Sequence, residues 1–598
     1  MIPVKKHLSF SPKPSIKDRL WTMDTSHDES SISHFAKQYQ LPLVLAKILL
    51  SRDSIMVDPE SFINPKLSKL LPDPYSIIDM EKAIDRSFEA IEKKQKICIY
   101  ADYDVDGATA SALLRNYFKC LGISTELYIP DRITEGYGAN SDALALLKNK
   151  SIDYVIMVDC GTTSFESLQL ADQLGLDIVV IDHHTAENYL PKANAIVNPN
   201  RLDQPKLDTN DIHQLCAAGV VFMFLVAMNR KLRNMNYFNG NIPEPQLMDF
   251  LDLVALGTVC DVMPLTGLNR AFVKQGLKIL NHKTNKGIDA LCTEAGIQDP
   301  LTAYHLGFVI GPRINAGGRV GQANLGSQLL YQNCEYDHSI LAHQLCAYNE
   351  HRQMVEKMVL DSAFEQIEKN NLSNHAGIVV FDHGWHPGVI GIIASRIKET
   401  YNKPSLVITF DDENQGKGSG RSISGIHLGE IMIDAVRHQH LIRGGGHAMA
   451  AGFSLEHSQL DRFIAFFNAK CEQLSDQQKP TLYIDDIITL NHINYSFLDI
   501  VETLEPYGNG NPQPRFMIEN IRICSITPVG DGNHARLLVE DDMGHQKIIM
   551  IFKIKESKLD TLLYNYQNQK FDIVVMIKKN FYNGQKNISI VLEDIATK

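Results

Sequence analysis

Short β-prone runs alternate with helical stretches in the part of the chain that begins at Ile97. The apolar runs are ICIY, TELYI, YVIMV and LDIVVI, and segments such as ATASALLRNYFKCLG and SFESLQLADQLG separate them. This alternation is typical of a parallel sheet with helices on both faces. The pattern therefore predicts an α/β domain, in which ligands bind beyond the carboxyl ends of the strands.

The pattern of apolar positions changes after this sheet. A mainly helical continuation extends from about Cys216 to Gly296. The segment 340–370 is charged and periodic and contains neither Pro nor Gly, so it predicts one long helix that bridges two domains. A second α/β unit begins at AGIVVFD, with a helix predicted from Gly388 to about Thr400.

The two ends of the chain have different patterns. Residues 1–75 predict an irregular or helical lead-in, and they contain no catalytic motif. After about Lys479 the chain becomes β-rich, which fits a small β-barrel. Asn583 and Gly584 lie between two β-prone runs and form the strongest short-range hairpin signal of the chain.

Length and composition predict several domains and exclude some classes of protein. A chain of 598 residues is too long for one core, so three or four domains are expected. No apolar run reaches the roughly 18 to 20 residues that span a bilayer. The first ten residues lack the apolar core of a signal peptide, and the ten cysteines form no CxxC pair. We therefore expect a cytoplasmic protein without a membrane segment.

The formal net charge of −12 hides a basic segment at the end of the chain. Residues 547–598 hold nine Lys against five acidic residues, with six aromatic residues interleaved. This mixture could bind phosphates and stack bases. A lysine-rich, solvated sheet with aromatic core residues explains it equally well.

Acidic and histidine clusters follow the apolar runs. Asp102 begins DYDVDG, Asp159 follows YVIMV, Asp182 begins DHH, and Asp261 lies in TVCDVMPL. Carboxylates that share a cleft repel one another and are costly to desolvate, so the clusters predict bound cations. Oxygen ligands suit Mg or Mn, and the imidazoles favour Mn. The three carboxylates of DYDVDG would share one face if the segment were extended, and Gly107 would let the chain turn into a helix.

Four glycine-rich motifs carry side chains that suit an anion. GPRINAGGR holds two arginines among glycines, so guanidinium groups and backbone amides can approach a phosphate closely. The same reasoning applies to GSGRS and RGGGHAMAAG, whose backbone N–H groups we expect in anion-binding loops. GWHPGVIGIIASR opens a helix, and a helix N-terminus can also hold an anion. A turn or close packing explains each motif as well when it is taken alone.

The order of these motifs resembles the DHH phosphoesterase superfamily with its DHHA1 partner domain. The motifs are DYDVDG, VDCGTT, DHH and GTVCDVMPL, followed by GPRINAGGR, NEHRQ, GWHPGVIGIIASR and GGGHAMAAG. Within the superfamily the pattern is most similar to the RecJ family of bacterial single-strand-specific DNA exonucleases. The resemblance covers about Lys96 to Gly452, and YGNGNPQPRF resembles that family's transition into its OB domain.

The resemblance implies an α/β protein with a parallel-sheet DHH domain, a long helix, a smaller α/β DHHA1 domain and a β-barrel OB domain. The predicted segments are the lead-in 1–75, the DHH catalytic domain 76–335, the connecting helix 336–372, the DHHA1 substrate-binding domain 373–470 and the OB-fold nucleic-acid-binding domain 471–598.

The resemblance also implies roles for individual residues. Two divalent cations, Mn or Mg, would be held by Asp104, Asp106, Asp159, His183 and Asp261. Asp159 would bridge the two ions, Asp102 would be a further catalytic group, and His184 would stabilise charge on the phosphate. The implied substrate-binding residues are Arg132, Arg313, Arg319, Ser419, Arg421, Gly445, Gly446 and His447.

The implied activity is hydrolysis of single-stranded DNA from its 5′ end, with release of nucleoside 5′-monophosphates, in recombination and repair. A monomer is expected, with a helicase and a single-strand-binding protein as further partners. Two alternatives stay open. One is a DHH phosphoesterase that acts on short oligonucleotides, against which the β-rich segment after Lys479 weighs. The other is a non-catalytic single-strand-binding scaffold, against which the intact acidic set weighs.

Overall fold

The fold is described from a computed structural model. The described residues are 7–10, 15–52, 58–131, 135–136, 138–205, 212–332, 336–474, 480–530, 532–554, 559–560, 566–567, 569–582 and 585–597. Among them, no helix combines the length and the apolar character that crossing a bilayer requires.

The N-terminal segment contains strands as well as helices. Its elements are β1 (His7–Phe10), β2 (Leu20–Asp24), α1 (Glu29–Gln38), α2 (Leu43–Ser51), α3 (Pro59–Ile63) and α4 (Leu67–Leu70). The prediction of an irregular or helical lead-in was therefore wrong for the strands. Strand β2 pairs antiparallel with β1 on one side and parallel with residues 481–484 on the other. A strand whose second neighbour lies so far along the chain leaves little local signal.

The predicted parallel sheet is confirmed. Its elements, with the helices between them, are α5 (Met80–Glu92), β3 (Ile97–Ala101), α6 (Val105–Cys120), β4 (Thr125–Tyr128), α7 (Ser141–Asn149), β5 (Tyr154–Val158), α8 (Phe165–Gln173), β6 (Asp177–Ile181) and β7 (Ala195–Val197). The strand order is β4-β3-β5-β6-β7, and every pairing is parallel. All residues of β3 and β5 are buried, as expected for strands that are covered on both faces.

A helical layer continues this unit and ends in the long helix. The helices are α9 (Ala217–Asn234), α10 (Leu251–Cys260), α11 (Gly267–Leu280), α12 (Lys286–Glu294), α13 (Ala303–His305), α14 (Gly311–Val320), α15 (Leu325–Leu330) and α16 (His338–Lys369). Helix α16 confirms the predicted bridge over 340–370. Its first buried residues pack with the helical layer, and its last ones, from Val359, pack with the next unit.

GPRINAGGR is helix α14, so the expectation of a phosphate-binding loop was wrong. Pro312 lies at the second position of α14, directly after a π-helical turn over Leu306–Ile310 that runs into the helix without a break. The glycines allow close packing, since a Cβ on Gly318 would lie 2.9 Å from the backbone oxygen of Tyr103.

The second α/β unit is a five-stranded sheet with three helices. Its elements are β8 (Ile378–His383), α17 (Ile390–Tyr401), β9 (Ser405–Phe410), β10 (Gln415–Arg421), α18 (Leu428–Arg437), β11 (Arg443–Gly446), β12 (Ala450–Glu456) and α19 (Leu460–Leu474). The strand order is β11-β12-β10-β9-β8.

Two predicted anion-binding loops of this unit are strands. GSGRS ends β10, which pairs with β9 and β12, and the glycines of RGGG form β11. The backbone groups of β10, and those groups of the edge strand β11 that face β12, therefore form hydrogen bonds of the sheet. A Cβ on Gly418 would lie 2.2 Å from the Phe453 ring, which shows that this glycine is needed for packing.

The C-terminal segment forms a closed barrel, as predicted. Its elements are β13 (Thr481–Ile484), β14 (Asp486–Ile487), α20 (Tyr495–Glu502), β15 (Phe516–Val529), β16 (His534–Glu540), β17 (Gln546–Ile551), β18 (Lys570–Tyr582) and β19 (Gln585–Thr597). Strand β15 pairs with both β16 and β18, which closes the sheet. Strands β18 and β19 form the predicted hairpin, with Tyr582 opposite Gln585, while Asn583 and Gly584 lie outside the described residues.

The lead-in and the barrel share one core. Leu45, Ile48 and Phe62 of the lead-in belong to the same buried cluster as the barrel strands. Trp21 of β2 donates a hydrogen bond from Nε1 to the buried Asp594 Oδ2 at 3.1 Å. The barrel is therefore completed by residues from the opposite end of the chain.

We predict that Trp21→Ala lowers the free energy of unfolding by about 3 to 5 kcal/mol, because it leaves a cavity in a second buried cluster that the lead-in shares with the barrel, in which Trp21 packs with Met517 and Val574. Trp21 is 2% exposed, whereas Leu43 of the same lead-in is 60% exposed. Denaturant unfolding combined with hydrogen exchange at β18 and β19 measures the effect. Leu43→Ala is the control and should change stability by less than about 0.5 kcal/mol. Equal effects of the two substitutions would contradict the shared core.

Candidate metal centre

The acidic loop after β3 turns at once into helix α6. Asp104 is its N-cap, and its Oδ1 accepts hydrogen bonds from the backbone N–H of Asp106 at 2.8 Å and of Gly107 at 3.1 Å. The segment is therefore not extended through Asp106, because capping makes the helix begin at Val105. Gly107 lies inside the helix, where a Cβ would be 2.3 Å from the backbone oxygen of Asp102.

Asp106 lies where the N-termini of two helices meet. It occupies the first turn of α6, and its carboxylate accepts hydrogen bonds from Ala217 N at 2.6 Å and Ala218 N at 2.9 Å at the start of α9. Both helix dipoles favour a negative charge at this point. Helix α10 also approaches closely, since a Cβ on Gly257 would lie 2.9 Å from Asp106 Oδ1.

Asp159 follows β5 in an uncommon backbone conformation. Its φ of 61° lies in the left-handed region, and its side chain is buried. A non-glycine residue there is unfavourable and persists only when its surroundings impose it. The tight turn after β5 thus directs this carboxylate into the crevice beyond the strand ends.

The DHH segment after β6 contributes two differently oriented imidazoles. His183 Nε2 lies 3.3 Å from Asp159 Oδ1, 3.7 Å from Asp106 Oδ2 and 3.5 Å from Asp261 Oδ2. His184 Nδ1 instead lies 2.7 Å from Oδ1 of Asp182.

Asp261 closes the cluster from helix α10, of which it is the C-cap. Its Oδ2 is buried and accepts no hydrogen bond from the described residues. Three overlapping groups have ligand atoms within 4.8 Å of one another: Asp159 with His183 and His184, Asp106 with His183 and Asp261, and Asp102 with Asp104 and Asp159. The seven predicted catalytic and metal-binding residues therefore meet at one place.

The electrostatics of the cluster are unfavourable without a cation. Burial raises the pKa of Asp159 well above its ordinary value, and the charges of Asp104, Asp106 and other neighbouring carboxylates add to this. Burial likewise raises the pKa of Asp106, against the opposing charge of His183. Burial, with the charges of Asp106 and Asp104, raises the pKa of Asp261 to about 9.

The two histidines have opposite pKa shifts. Burial lowers the pKa of His183, which favours the neutral imidazole that ligates a metal. Burial also opposes protonation of His184, but the hydrogen bond to Asp182 and its charge outweigh this and raise the pKa of His184 to about 9.

The donor set fits hard divalent cations. Carboxylate oxygens and one neutral imidazole face the cluster, and such ligands suit Mg or Mn. The thiols of Cys216 and Cys260 lie close by, but burial raises both pKa values, which keeps the sulfurs protonated. Cys260 Sγ donates to Leu306 O at 3.3 Å instead.

Apart from the metal centre, a cavity lined by three arginines lies where α14 meets the second α/β unit. It has a volume of about 320 Å³ and is lined by Arg319, Gly391, Ile392, Ser395, Arg396, Glu399, Ser419 and Arg421. Arg319 Nη1 donates to Gly388 O at 3.0 Å, which joins the two units beside the cavity. A Cβ on Gly391 would lie 3.0 Å from Ser419 Oγ and 3.3 Å from Arg421 Nη2, so the glycine keeps the start of α17 close to these two side chains.

Other predicted substrate-binding residues do not line this cavity. Arg313 donates from Nη1 to Val309 O at 2.8 Å within its own helical segment. Gly445 and Gly446 pair with β12, and His447 is exposed in the turn that follows. Arg132 lies outside the described residues.

Sequence reasoning missed Asn315 and Arg396, and it placed Asp182 among the acidic clusters without giving it a role of its own. Asp182 orients His184 and also accepts Thr162 N at 3.0 Å. Asn315 accepts Val105 N at 3.2 Å and so fixes the acidic loop, and Arg396 lines the cavity. Asp182 is the first residue of DHH and Arg396 is the last residue of GWHPGVIGIIASR, so both lie in motifs that the sequence analysis had already singled out.

Three family models match successive parts of the chain. The DHH family N-terminal domain matches residues 96–258, the DHHA1 domain matches 374–473, and the RecJ OB domain matches 484–594. Two relatives are named single-stranded-DNA-specific exonuclease RecJ. The protein of Haemophilus influenzae is 31% identical over 88% of this chain and 92% of its own length. That of Escherichia coli is 31% identical over 93% of this chain and 96% of its own length.

Solved structures give the same result. The chain matches RecJ of Thermus thermophilus in complex with Mn²⁺ with a TM-score of 0.75 and 26% identity, over 96% of this chain and 79% of that one. A shorter exonuclease RecJ bound to manganese matches with a TM-score of 0.56 and 31% identity, over 68% of this chain and 97% of that one. On the motifs, the domain order and the identity over nearly the full length of its relatives, the chain belongs to the RecJ family.

Proposed function

We propose that this chain is a single-stranded-DNA-specific exonuclease that hydrolyses phosphodiester bonds from the 5′ end and releases nucleoside 5′-monophosphates. The observation that carries the proposal is the convergence of His183 with Asp106, Asp159 and Asp261 at 3.3 to 3.7 Å. The cationic cavity in the neighbouring unit supports a polyanionic substrate.

The residues proposed to hold two divalent cations, Mn or Mg, are Asp104, Asp106, Asp159, His183 and Asp261. Such cations, when bound, lower the pKa of water and neutralise charge on a scissile phosphate. The central position of Asp159, near both the Asp102–Asp104 pair and the histidines, suits a carboxylate that bridges two ions. Asp106 is held by backbone N–H groups of α9, so its remaining lone pairs can be presented in a fixed direction.

His184 is proposed to bind the scissile phosphate. Its pKa of about 9 keeps the ring cationic at neutral pH, and Asp182 fixes it through Nδ1. The second ring nitrogen, Nε2, is proposed to donate to a phosphate oxygen, and the cationic ring would stabilise the charge that develops during attack.

The cavity is proposed to bind the 5′-terminal phosphate of the strand. Arg319, Arg421 and Ser419 offer guanidinium and hydroxyl donors, and the N-terminus of α17 adds backbone N–H groups. Roles for Arg132, Arg313, Gly445, Gly446 and His447 in substrate binding rest on the family resemblance.

The remaining units would determine which polymer is bound. The barrel matches the RecJ OB domain, and barrels of this kind bind single strands through basic grooves and exposed rings. Phe552 is an exposed ring of this unit, whereas Phe571 is buried in its core. We therefore assign 76–335 to catalysis, 336–372 to the connection, 373–470 to substrate binding and 471–598 to nucleic-acid binding.

The cellular setting follows from the resemblance. We propose a cytoplasmic monomer that acts in recombination and repair, with a helicase and a single-strand-binding protein as partners. Reduced cysteines support the compartment, since the nine cysteines among the described residues form no disulfide.

We predict that Asp159→Ala and Asp106→Ala each reduce hydrolysis of 5′-phosphorylated single-stranded DNA by at least about 10³-fold, because each removes a carboxylate that the cations need. Binding of the same DNA, measured by fluorescence anisotropy, should be largely retained. The control is Asp142→Ala, which removes an exposed carboxylate from the first turn of α7. Full activity of either variant would contradict the assignment of these carboxylates. If the unaltered chain with Mn²⁺ hydrolyses no substrate, the result would favour a non-catalytic single-strand-binding scaffold.

We predict that Arg421→Ala reduces the preference for 5′-phosphorylated over 5′-hydroxyl single-stranded DNA by about tenfold, because it removes a charge-assisted hydrogen bond of about 1.5 kcal/mol or more. The ratio of kcat/KM for the two substrates measures the preference. Lys417→Ala is the matched control, since Lys417 lies on the same strand but does not line the cavity. An unchanged ratio of kcat/KM values for Arg421→Ala would contradict the proposal that the cavity binds the 5′-terminal phosphate.

A further inference from the structure

Helix α10 ends in a strained turn directly after the metal-centre residue Asp261. Val262 N donates to Val259 O at 3.2 Å and Met263 N donates to Thr258 O at 3.1 Å, which is the Schellman hydrogen-bond pattern. Val262 occupies its left-handed position with a φ of 57°. Glycine is the usual residue there, and a β-branched side chain is disfavoured.

Packing of the valine does not compensate for this conformation. The Val262 side chain is 64% exposed. The backbone of the turn is held by its own two hydrogen bonds and by further contacts from outside the helix.

The holding contacts come from the C-terminal unit. Asn509, in the turn YGNGN, donates from Nδ2 to Val262 O at 2.7 Å. Its backbone oxygen accepts a hydrogen bond from Leu265 N, also at 2.7 Å. Asn509, almost 250 positions away in sequence, thus forms hydrogen bonds with the residues at both ends of the strained turn.

The turn that carries Asn509 has little room to move. A Cβ on Gly508 would lie 2.6 Å from Leu265 Cδ1, and one on Gly510 would lie 3.2 Å from Pro264 Cβ, so the two loops are in close contact. The buried Asn511 donates from Nδ2 to Leu504 O and Pro506 O, both at 2.8 Å.

A buried guanidinium anchors the same segment to the catalytic unit. Arg270 of α11 is fully buried and donates to Leu504 O at 3.0 Å and to Glu505 O at 2.8 Å. Its Nε also donates to Phe62 O of the lead-in at 2.6 Å. The position of Asn509 is therefore fixed relative to α11, which packs on α10.

We propose that Asn509 is a positioning residue for Asp261, through which the C-terminal unit supports the metal centre. The proposal rests on the proposed function, since it assumes that Asp261 is a metal ligand. Asn509 holds the left-handed conformation of Val262, and this conformation directs the Asp261 carboxylate towards His183. The C-terminal unit is thereby a part of the catalytic apparatus in addition to its role with DNA.

The test is Mn²⁺ binding by the full-length, metal-free chain, measured by calorimetry without substrate. Asn509→Ala should weaken Mn²⁺ binding by about tenfold, which corresponds to about 1.4 kcal/mol, as expected for loss of a group that orients a ligand. Asn509 is exposed, so the substitution removes the hydrogen bond without opening a cavity. Asn491→Ala, at another exposed position of the same unit, is the control and should bind Mn²⁺ as the unaltered chain does.

A rescue experiment separates positioning from general destabilisation. Val262→Gly in the Asn509→Ala background should restore Mn²⁺ affinity, because glycine adopts the left-handed conformation without strain. Unchanged affinity of Asn509→Ala, or loss of affinity that Val262→Gly does not restore, would overturn the proposal. Absence of Mn²⁺ binding by the unaltered chain would instead overturn the metal centre itself, together with this inference.

Discussion

Mutual repulsion among buried carboxylates is the constraint on which the rest of this structure depends. Asp106, Asp159 and Asp261 lie around one imidazole, and burial raises the pKa of each. Several local features of the fold hold these carboxylates together. The N-termini of α6 and α9 meet at Asp106, and the backbone is left-handed at Asp159 and at the residue after Asp261. Such an arrangement is stable at neutral pH only if protons or cations compensate its charge. Divalent cations make it a centre for phosphoryl chemistry.

The other units act on this centre from two sides. Arg319 of α14 hydrogen-bonds Gly388 of the second α/β unit and also lines the cationic cavity between them. On the other side, Asn509 grips the turn after Asp261, and Arg270 ties the same segment to α11. The barrel is itself completed by the lead-in, through Trp21 and Asp594. The units of this chain are therefore connected by contacts between side chains as well as by the chain itself.

Sequence reasoning predicted what is encoded locally. The strands of the parallel sheet, helix α16 and the acidic and histidine clusters after β3, β5 and β6 follow from apolar periodicity and from the residues that come directly after each apolar run. Glycines were harder to interpret, because their role depends on a neighbour distant in sequence. Gly318 packs on Tyr103 and Gly418 on Phe453, so both motifs form regular elements rather than phosphate loops. Strand β2 of the lead-in and the contact of Asn509 with Val262 were missed for the same reason, since each has a partner more than 200 residues away.

The central claim, that cations replace protons on this carboxylate cluster, can be tested by calorimetric titration of the metal-free chain with MnCl₂ at pH 7 in two buffers of different ionisation enthalpy. The raised pKa of Asp159 and the pKa of about 9 for Asp261 mean that protons are bound there below these values. Mn²⁺ must displace them, so the account predicts release of at least one proton per chain, with tighter binding as the pH rises from 6 to 9. Binding heat that is independent of the buffer, or no Mn²⁺ binding at all, would contradict it.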